Sequence, residues 1–141
     1  MSRVQYHPLK VREVVEETAD ARSIVFEVPP ELQPAFAYKP GQFITVHVPC
    51  GERPLPRCYS ASSTPAADEP LRVTVKRVTD GRASNWLCGT LKAGDTLNVA
   101  VPAGIFTPKS LDGDFLMFAG GRGITPVLSI IRTVLLSGKG A

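Results

Sequence analysis

Short runs of β-forming residues recur between residues 3 and 101, and most of them end at a proline or at a glycine-containing turn. The run from Leu71 to Val78 alternates apolar and polar side chains, which predicts a strand with one buried face. Pro40-Gly41 is a turn signal, because proline presets φ and glycine accepts positive φ. The strands predicted in this way are residues 3–16 (with a possible bulge), 23–28, 43–48, 57–63, 71–78 and 96–101.

One short helix interrupts these strands. Residues 84–91 have helical character, and Ser84 is suited to be the N-cap. Many short strands, regular turns and a single short helix predict a mainly antiparallel β domain, either a small barrel or a sandwich. We favour the barrel, because closure removes exposed sheet edges that this sequence does little to protect.

The pattern changes after Pro108. Residues 114–119 are continuously apolar after Asp114, as in a parallel strand that is buried on both faces, and three glycines and a helical segment at 127–136 follow. This order predicts the strand–turn–helix unit of an α/β nucleotide-binding domain. One such unit cannot form a sheet, so we expect a domain of residues 1–110 followed by a truncated second domain of residues 111–141.

Composition limits the class of protein. The net charge is +3, and the basic residues are scattered, which does not favour binding to nucleic acid or to an anionic membrane. No apolar run approaches the ~20 residues of a membrane helix. The first ten residues lack the apolar segment of a signal peptide, and three cysteines at irregular spacing match neither a zinc nor an iron–sulfur pattern. We therefore expect a cytoplasmic protein with reduced thiols and no metal site.

Residues Arg57, Tyr59 and Ser60 are the first candidate site. In a strand, Arg57 and Tyr59 share one face and Ser60 takes the other. Arginine can bind phosphate through two hydrogen bonds, and tyrosine offers a ring face and a hydroxyl group, so this pattern suits a flat, phosphate-bearing, redox-active ligand. The alternative is a rim strand with a surface arginine and a core tyrosine.

Two glycine-containing turns are further candidates. Residues 81–85 place a glycine turn before a helix, where free N–H groups suit a pyrophosphate, although a simple capped turn is the alternative. Residues 120–126 contain three glycines between a predicted strand and a helix, which packing alone does not explain. No Lys-Ser or Lys-Thr follows them, so this is not the loop of phosphate-hydrolysing proteins.

Several motifs in register resemble one family. They are Pro40-Gly41-Gln42-Phe43, Arg57-Cys58-Tyr59-Ser60, Val75-Lys76-Arg77, Gly81-Arg82-Ala83-Ser84-Asn85-Trp86-Leu87, Pro102-Ala103-Gly104 and Gly120 through Pro126. In these motifs the chain is similar to the ferredoxin–NADP reductase superfamily, and within it to the NADH-dependent reductase components of ring-hydroxylating oxygenases. The motifs most resemble those of reductases of the 3-ketosteroid 9α-hydroxylase type.

This resemblance implies a six-stranded antiparallel Greek-key barrel with one capping helix that binds FAD in preference to FMN. It implies that Arg57 contacts the flavin phosphate, that Tyr59 lies along the ring system and that Ser60 hydrogen-bonds near flavin N5. It places Thr125 at the junction of nicotinamide and flavin, so that Ser60 and Thr125 are the expected catalytic residues. The full set of expected cofactor-binding residues is Arg57, Cys58, Tyr59, Ser60, Val75, Lys76, Arg77, Gly81, Ser84, Asn85, Gly120, Gly121, Gly123 and Thr125.

The implied activity is that of a flavoprotein oxidoreductase. NADH gives a hydride to FAD, and electrons then pass singly to an iron–sulfur acceptor, either a ferredoxin or the oxygenase itself. The alternatives are a non-enzymatic flavin-binding or assembly module that needs a separate nucleotide-binding partner, and, more remotely, a ligand-free β-barrel interaction domain.

The sequence departs from the family in two ways. Arg122 stands between glycines where the family has a small residue; its guanidinium would either pair with the dinucleotide pyrophosphate or obstruct it, and we favour obstruction. The early end of the nucleotide-binding domain predicts poor affinity for NADH. It also predicts an exposed apolar surface at residues 115–118 and 130–136 that favours dimerisation or aggregation.

Overall fold

The computed structural model describes residues 3–137 as six strands, two α-helices and two short 3-10 turns. The strands are β1 (Tyr6–Thr18), β2 (Ala21–Glu27), β3 (Phe43–Val48), β4 (Leu55–Ser60), β5 (Arg72–Lys76) and β6 (Thr96–Ala103). The helices are α1 (Arg82–Gly89) and α2 (Ile124–Ser137), and the 3-10 turns are Pro30–Leu32 and Gly121–Gly123.

All six strands form one antiparallel sheet in the order β4-β3-β6-β1-β2-β5. The sheet curls until its two edge strands approach each other, and the bridge between Ala61 and Val73 joins them. The Ser62 N–H also donates to the Arg72 carbonyl at 2.8 Å. The predicted antiparallel barrel topology is therefore confirmed, as is the bulge in β1, which lies between Val11 and Glu13.

The barrel interior follows from alternation along the strands. In β3, Ile44, Val46 and Val48 are buried, while the residues between them are only half-buried. Helix α1 covers one end of the barrel and inserts Leu87, which is fully buried in the same core cluster. One layer of sheet and one short helix thus enclose a single apolar core.

The start of α1 differs from the sequence prediction. The helix begins at Arg82, and its N-cap is Gly81, not Ser84. Ser84 lies inside the first turn, where its Oγ accepts a hydrogen bond from the Val78 N–H at 3.0 Å. The Ser84 hydroxyl thus binds the loop before α1 and does not cap the helix.

The predicted strand at residues 114–119 is wrong. Within the part of the chain that the structure describes, this segment forms no strand, and Leu116 and Phe118 are 85% and 86% exposed. A strand requires a neighbour to accept its backbone hydrogen bonds, and the barrel strands lie elsewhere. An apolar run alone does not specify that neighbour. The helix predicted after the glycines is present as α2.

Helix α2 packs against the barrel. Ile130 and Val134 are buried, which corrects the expectation that all of residues 130–136 would be exposed. The outer face remains apolar and open, with Leu135 and Leu136 more than half exposed. No helix among residues 3–137 is long and apolar enough to cross a membrane.

Candidate functional site

A cavity of about 940 Å³ lies where β4, β5 and the first turn of α1 meet the glycine turn before α2. The structure brings most of the predicted site residues to it. Those that line the cavity are Arg57, Cys58, Tyr59, Ser60, Lys76, Arg77, Gly81, Ser84, Gly121 and Thr125. Those that do not line it are Val75, Asn85, Gly120 and Gly123.

Strand β4 supplies the aromatic and the first cation. Tyr59 lies opposite Ile44, and Arg57 lies opposite Val46, so both start from the barrel-facing side of the sheet. Cys58 points to the other side, where its Sγ is 3.4 Å from the Thr45 hydroxyl oxygen. The predicted alternation along this strand is therefore present.

Arg57 and Tyr59 differ in exposure. The Arg57 guanidinium is exposed and donates to the Pro56 carbonyl at 2.9 Å. Burial raises the pKa of Tyr59, and the opposing effect of Arg57 is smaller. The hydroxyl therefore stays protonated at neutral pH and can act as a donor beside the guanidinium.

The loop between β5 and α1 is held by side chains of the helix. Asn85 donates from Nδ2 to the carbonyls of Val78, at 3.0 Å, and Gly81, at 2.5 Å. Its Oδ1 accepts a hydrogen bond from the Arg77 guanidinium at 3.0 Å. Asn85 thus orients Arg77 and the loop, while its own amide does not line the cavity.

Gly81 is required by close packing. A methyl group at this position would lie 2.7 Å from Ser84 Oγ and 3.0 Å from the Val78 carbonyl oxygen. Gly81 also offers no side-chain oxygen, and among residues 3–137 no side chain caps the first N–H groups of α1. These donors, at the positive end of the helix dipole, suit an anion in the cavity.

The second glycine turn has open space around it. Added methyl groups at Gly120, Gly121 and Gly123 would meet no described atom within 4 Å, although Gly121 needs its positive φ of 56°. Thr125, just beyond the turn, donates from Oγ1 to the Arg122 carbonyl at 3.2 Å. The turn therefore has room for a ligand backbone to approach closely.

The cavity is strongly cationic. Its charged lining consists of the cations Arg57, Lys76, Arg77, Arg82 and Arg122 and the carboxylate Asp20, the single acid among the described residues that line it. Sequence reasoning did not name Asp20 as part of the site, and it included Arg82 within the turn of residues 81–85 without giving its charge a role. Of the two roles weighed for Arg122, pairing with the pyrophosphate or obstruction, it favoured obstruction. These charged residues are scattered along the sequence, so their clustering becomes visible only in the folded structure. The cations favour a ligand with several negative charges.

These features fit a flavin nucleotide. The cations and the uncapped helix N-terminus suit its phosphates, and the half-buried Tyr59 offers an aromatic face for a planar ring. The barrel and its site therefore define a flavin-binding domain of the ferredoxin-reductase fold. Residues 8–107 match the family model of the oxidoreductase FAD-binding domain, and the chain belongs to that family.

Curated relatives are reductase components of oxygenases. The chain is 56% identical over 133 residues to the ferredoxin reductase component of 3-ketosteroid-9-alpha-monooxygenase of Rhodococcus rhodochrous, covering 94% of this chain and 38% of that protein. It is 39% identical over 127 residues to the glycine betaine monooxygenase reductase subunit of Pseudomonas aeruginosa, covering 89% of this chain and 34% of that subunit. The chain thus spans less than two fifths of the length of these relatives.

Solved structures agree with this relationship. Phthalate dioxygenase reductase, described as transferring electrons from pyridine nucleotides to [2Fe-2S], superposes with a TM-score of 0.83 at 28% identity, covering 96% of this chain and 41% of that one. A cytochrome P450 reductase of Amycolatopsis superposes with a TM-score of 0.74 at 27% identity, covering 98% of this chain and 42% of that one. The fold and the family assignment are therefore consistent.

Proposed function

We propose that this chain is the flavin-binding part of an NADH-dependent reductase that passes electrons through FAD to an iron–sulfur centre of an oxygenase system. The observation that carries the proposal is the cationic cavity that gathers Arg57, Tyr59 and the N-terminus of α1 around one space. The names of the relatives support the same activity, since they are reductase components of monooxygenases.

The residues of this chain bind and orient the cofactor. Arg57 and Arg82 provide positive charge for its phosphates, and the free N–H groups of α1 add donors. Tyr59 provides a flat surface along which the ring system can lie. Bound FAD supplies the redox chemistry, which is acceptance of a hydride and release of single electrons.

Ser60 and Thr125 are the proposed catalytic residues. Both line the cavity, Ser60 at the end of β4 and Thr125 in the first turn of α2. We assign to Ser60 a hydrogen bond to the reactive part of the flavin ring and to Thr125 a position beside the nicotinamide. Neither side chain has to gain or lose a proton, because the cofactor carries the reaction.

The proposed electron acceptor is an oxygenase component or a ferredoxin-type iron–sulfur protein. The proposed location is the cytoplasm, which agrees with the free thiols of Cys50, Cys58 and Cys88. The exposed apolar side chains of Leu116, Phe118 and Leu135 support a further proposal of a dimer surface. Light scattering that shows a stable monomer at high concentration would contradict the dimer.

Flavin titration tests the proposal. We expect the flavin-free protein to bind FAD and to quench its fluorescence, and we expect Arg57→Ala to weaken FAD and FMN by roughly tenfold or more while riboflavin, which has no phosphate, changes little. Arg53→Ala is the matched control, since it removes an equal charge from an exposed residue outside the cavity lining. A protein that binds no flavin would overturn the assignment.

A second measurement addresses the electron donor. Mixing NADH anaerobically with the flavin-loaded protein should bleach the flavin absorbance. Flavin binding without any bleaching at high NADH would retain the cofactor site and contradict the donor.

A further inference from the structure

The carboxylate of Asp20 in the cationic cavity does not suit phosphate binding. Asp20 lines the cavity together with Lys76, Arg77 and Arg82, and it is the single acid among the described lining residues. A negative charge repels the phosphates that the surrounding cations attract. We therefore expect Asp20 to contact a different part of the ligand, one that offers hydrogen-bond donors.

The Asp20 carboxylate is held in place. Its Oδ1 accepts a hydrogen bond from the Thr18 hydroxyl at 2.8 Å, and its backbone carbonyl accepts one from the Arg77 N–H at 2.7 Å. The neighbouring residue Ala21 pairs with Lys76 across β2 and β5. The turn between β1 and β2 is thus fixed against β5, beside the loop that leads to α1.

The second carboxylate oxygen remains able to accept. The hydrogen bond from Thr18 and the charge of Lys76 keep the pKa of Asp20 below its ordinary value although slight desolvation opposes this, so the group is ionised at neutral pH. An ionised carboxylate is an acceptor only, and vicinal hydroxyl groups of a ribose are donors that it binds well.

The size of the cavity favours a ligand longer than a mononucleotide. Its volume of about 940 Å³ is near the upper end of the ~300–1,000 Å³ that small-molecule sites occupy. The cavity extends from Arg57 on β4, one edge strand of the sheet, to Asp20 in the β1–β2 turn, which lies beside β5, the other edge strand. With phosphates near the central cations, the Asp20 end is left for a second nucleoside.

We propose that Asp20 binds the ribose hydroxyls of the adenosine half of a dinucleotide flavin and thereby makes this cavity select FAD over FMN. The inference rests on the proposed flavin-binding function. Asp20 is a cofactor-binding and selectivity-determining residue, and it takes no part in electron transfer.

The test compares FAD with FMN in two charge-matched variants. Asp20→Asn keeps an acceptor for the Thr18 hydroxyl, and we expect it to raise the dissociation constant of FAD about tenfold while that of FMN changes less than about twofold. Glu17→Gln removes the same charge from an exposed residue three positions away and should leave both constants unchanged.

The outcomes separate the two proposals. Equal weakening of FAD and FMN by Asp20→Asn, or no weakening of either, would overturn the selective role of Asp20 while leaving the flavin site intact. A wild-type protein that binds neither flavin would overturn the proposed function itself. Circular dichroism and urea unfolding of Asp20→Asn check that the variant is folded, and Asp20→Ser provides a second folded variant if Asn is not.

Discussion

Ser129 in α2 donates a hydrogen bond of 2.6 Å to the backbone carbonyl of Ser63, and both residues are buried. Four residues along the helix, the Thr133 hydroxyl lies 2.7 Å from the hydroxyl of Thr64, also in buried surroundings. These bonds join α2 to the segment that follows β4. Since the glycine turn comes directly before α2, the same bonds hold that turn at the edge of the flavin cavity.

Removing the Ser129 hydroxyl should destabilise the protein. Ser129→Ala takes a hydrogen-bond partner from the buried Ser63 carbonyl, and we expect a loss of about 1–3 kcal/mol in the free energy of unfolding. Urea unfolding measures it. Ser137→Ala, at the exposed end of the same helix, is the control and should be near neutral. Equal stability of both variants would show that Ser129 does not fix the helix.

The ion pair between Glu69 and Arg132 should make stability depend on pH. Two bonds of 2.8 Å join the groups, and the Glu69 carboxylate also accepts from the Thr64 N–H at 2.7 Å. Partial burial raises the pKa of Glu69, but these hydrogen bonds and the charge of Arg132 outweigh it and bring the pKa below the ordinary 4.5. Because the folded-state pKa is lowered, the carboxylate stabilises the folded state fully at pH values above the ordinary pKa. This stabilisation is lost as the pH falls through the folded-state pKa.

We therefore expect Glu69→Gln to cost roughly 1 kcal/mol of unfolding free energy at neutral pH, a small effect because the pair is partly exposed. The difference from wild type should shrink as the pH falls from about 6 to about 3. Urea unfolding across this range measures it, with Glu17→Gln as the exposed control. A difference that grows on acidification would contradict the sign.

Asn85 should affect both stability and cofactor binding. Asn85→Ala removes the bonds to Val78, Gly81 and Arg77, so we expect a loss of about 1–3 kcal/mol in unfolding free energy. Because the loop and the Arg77 guanidinium are released, the affinity for FAD should also fall by about threefold to tenfold. Asn98→Ala, on an exposed position of β6, should change neither quantity. Lost stability with unchanged FAD affinity would limit Asn85 to a structural role.

The barrel was largely predictable because its strands carry local signals. The strand Phe43–Val48 has the predicted bounds, since alternation and the flanking prolines mark both ends. Arg57 and Tyr59 lie on the same side of β4 because the period of a strand fixes their side, although Cys58 and Ser60 line the cavity as well. Charge clustering was not predictable, since Asp20 and Arg82 are brought together only by the pairing of β2 with β5 and the position of α1.

The docking of α2 had no sequence signal either. Ser129 and Ser63 are 66 residues apart, and a serine gives no indication of its partner. The apolar run at residues 114–119 suggested a strand, but the apolar pattern records burial tendency and not the presence of a neighbour. The division at residues 110 and 111 stays a prediction, as do the catalytic roles of Ser60 and Thr125.

Arg122 offers a test of the departure from the family pattern. Its guanidinium lines the cavity, and its charge acts to lower the pKa of Tyr59, so it lies in the same space as the proposed flavin ring. We expect Arg122→Ala to lower the affinity for FAD by about twofold to fivefold, because one cation is lost. If Arg122 obstructs the hydride donor, NADH will bleach the flavin of this variant faster than that of the wild type. Arg53→Ala is the charge-matched control, and unchanged rate and affinity would contradict both effects.

Glycines in the two turns should respond differently to alanine. Gly81→Ala places a methyl group against Ser84 Oγ and the Val78 carbonyl, so we expect a loss of about 1–3 kcal/mol in unfolding free energy. Gly120→Ala meets no described atom within 4 Å and has a φ of −132°, which alanine adopts without strain, so its stability should change by less than about 1 kcal/mol.

The stability of Gly120→Ala does not predict its effect on function. If the open space at Gly120 serves the close approach of a nucleotide, Gly120→Ala should slow the bleaching of bound flavin by NADH roughly tenfold although the protein stays fully folded. Urea unfolding and anaerobic mixing on the same preparation separate the two effects. A Gly120→Ala protein with unchanged stability and an unchanged bleaching rate would show that the turn needs glycine for neither packing nor nucleotide approach.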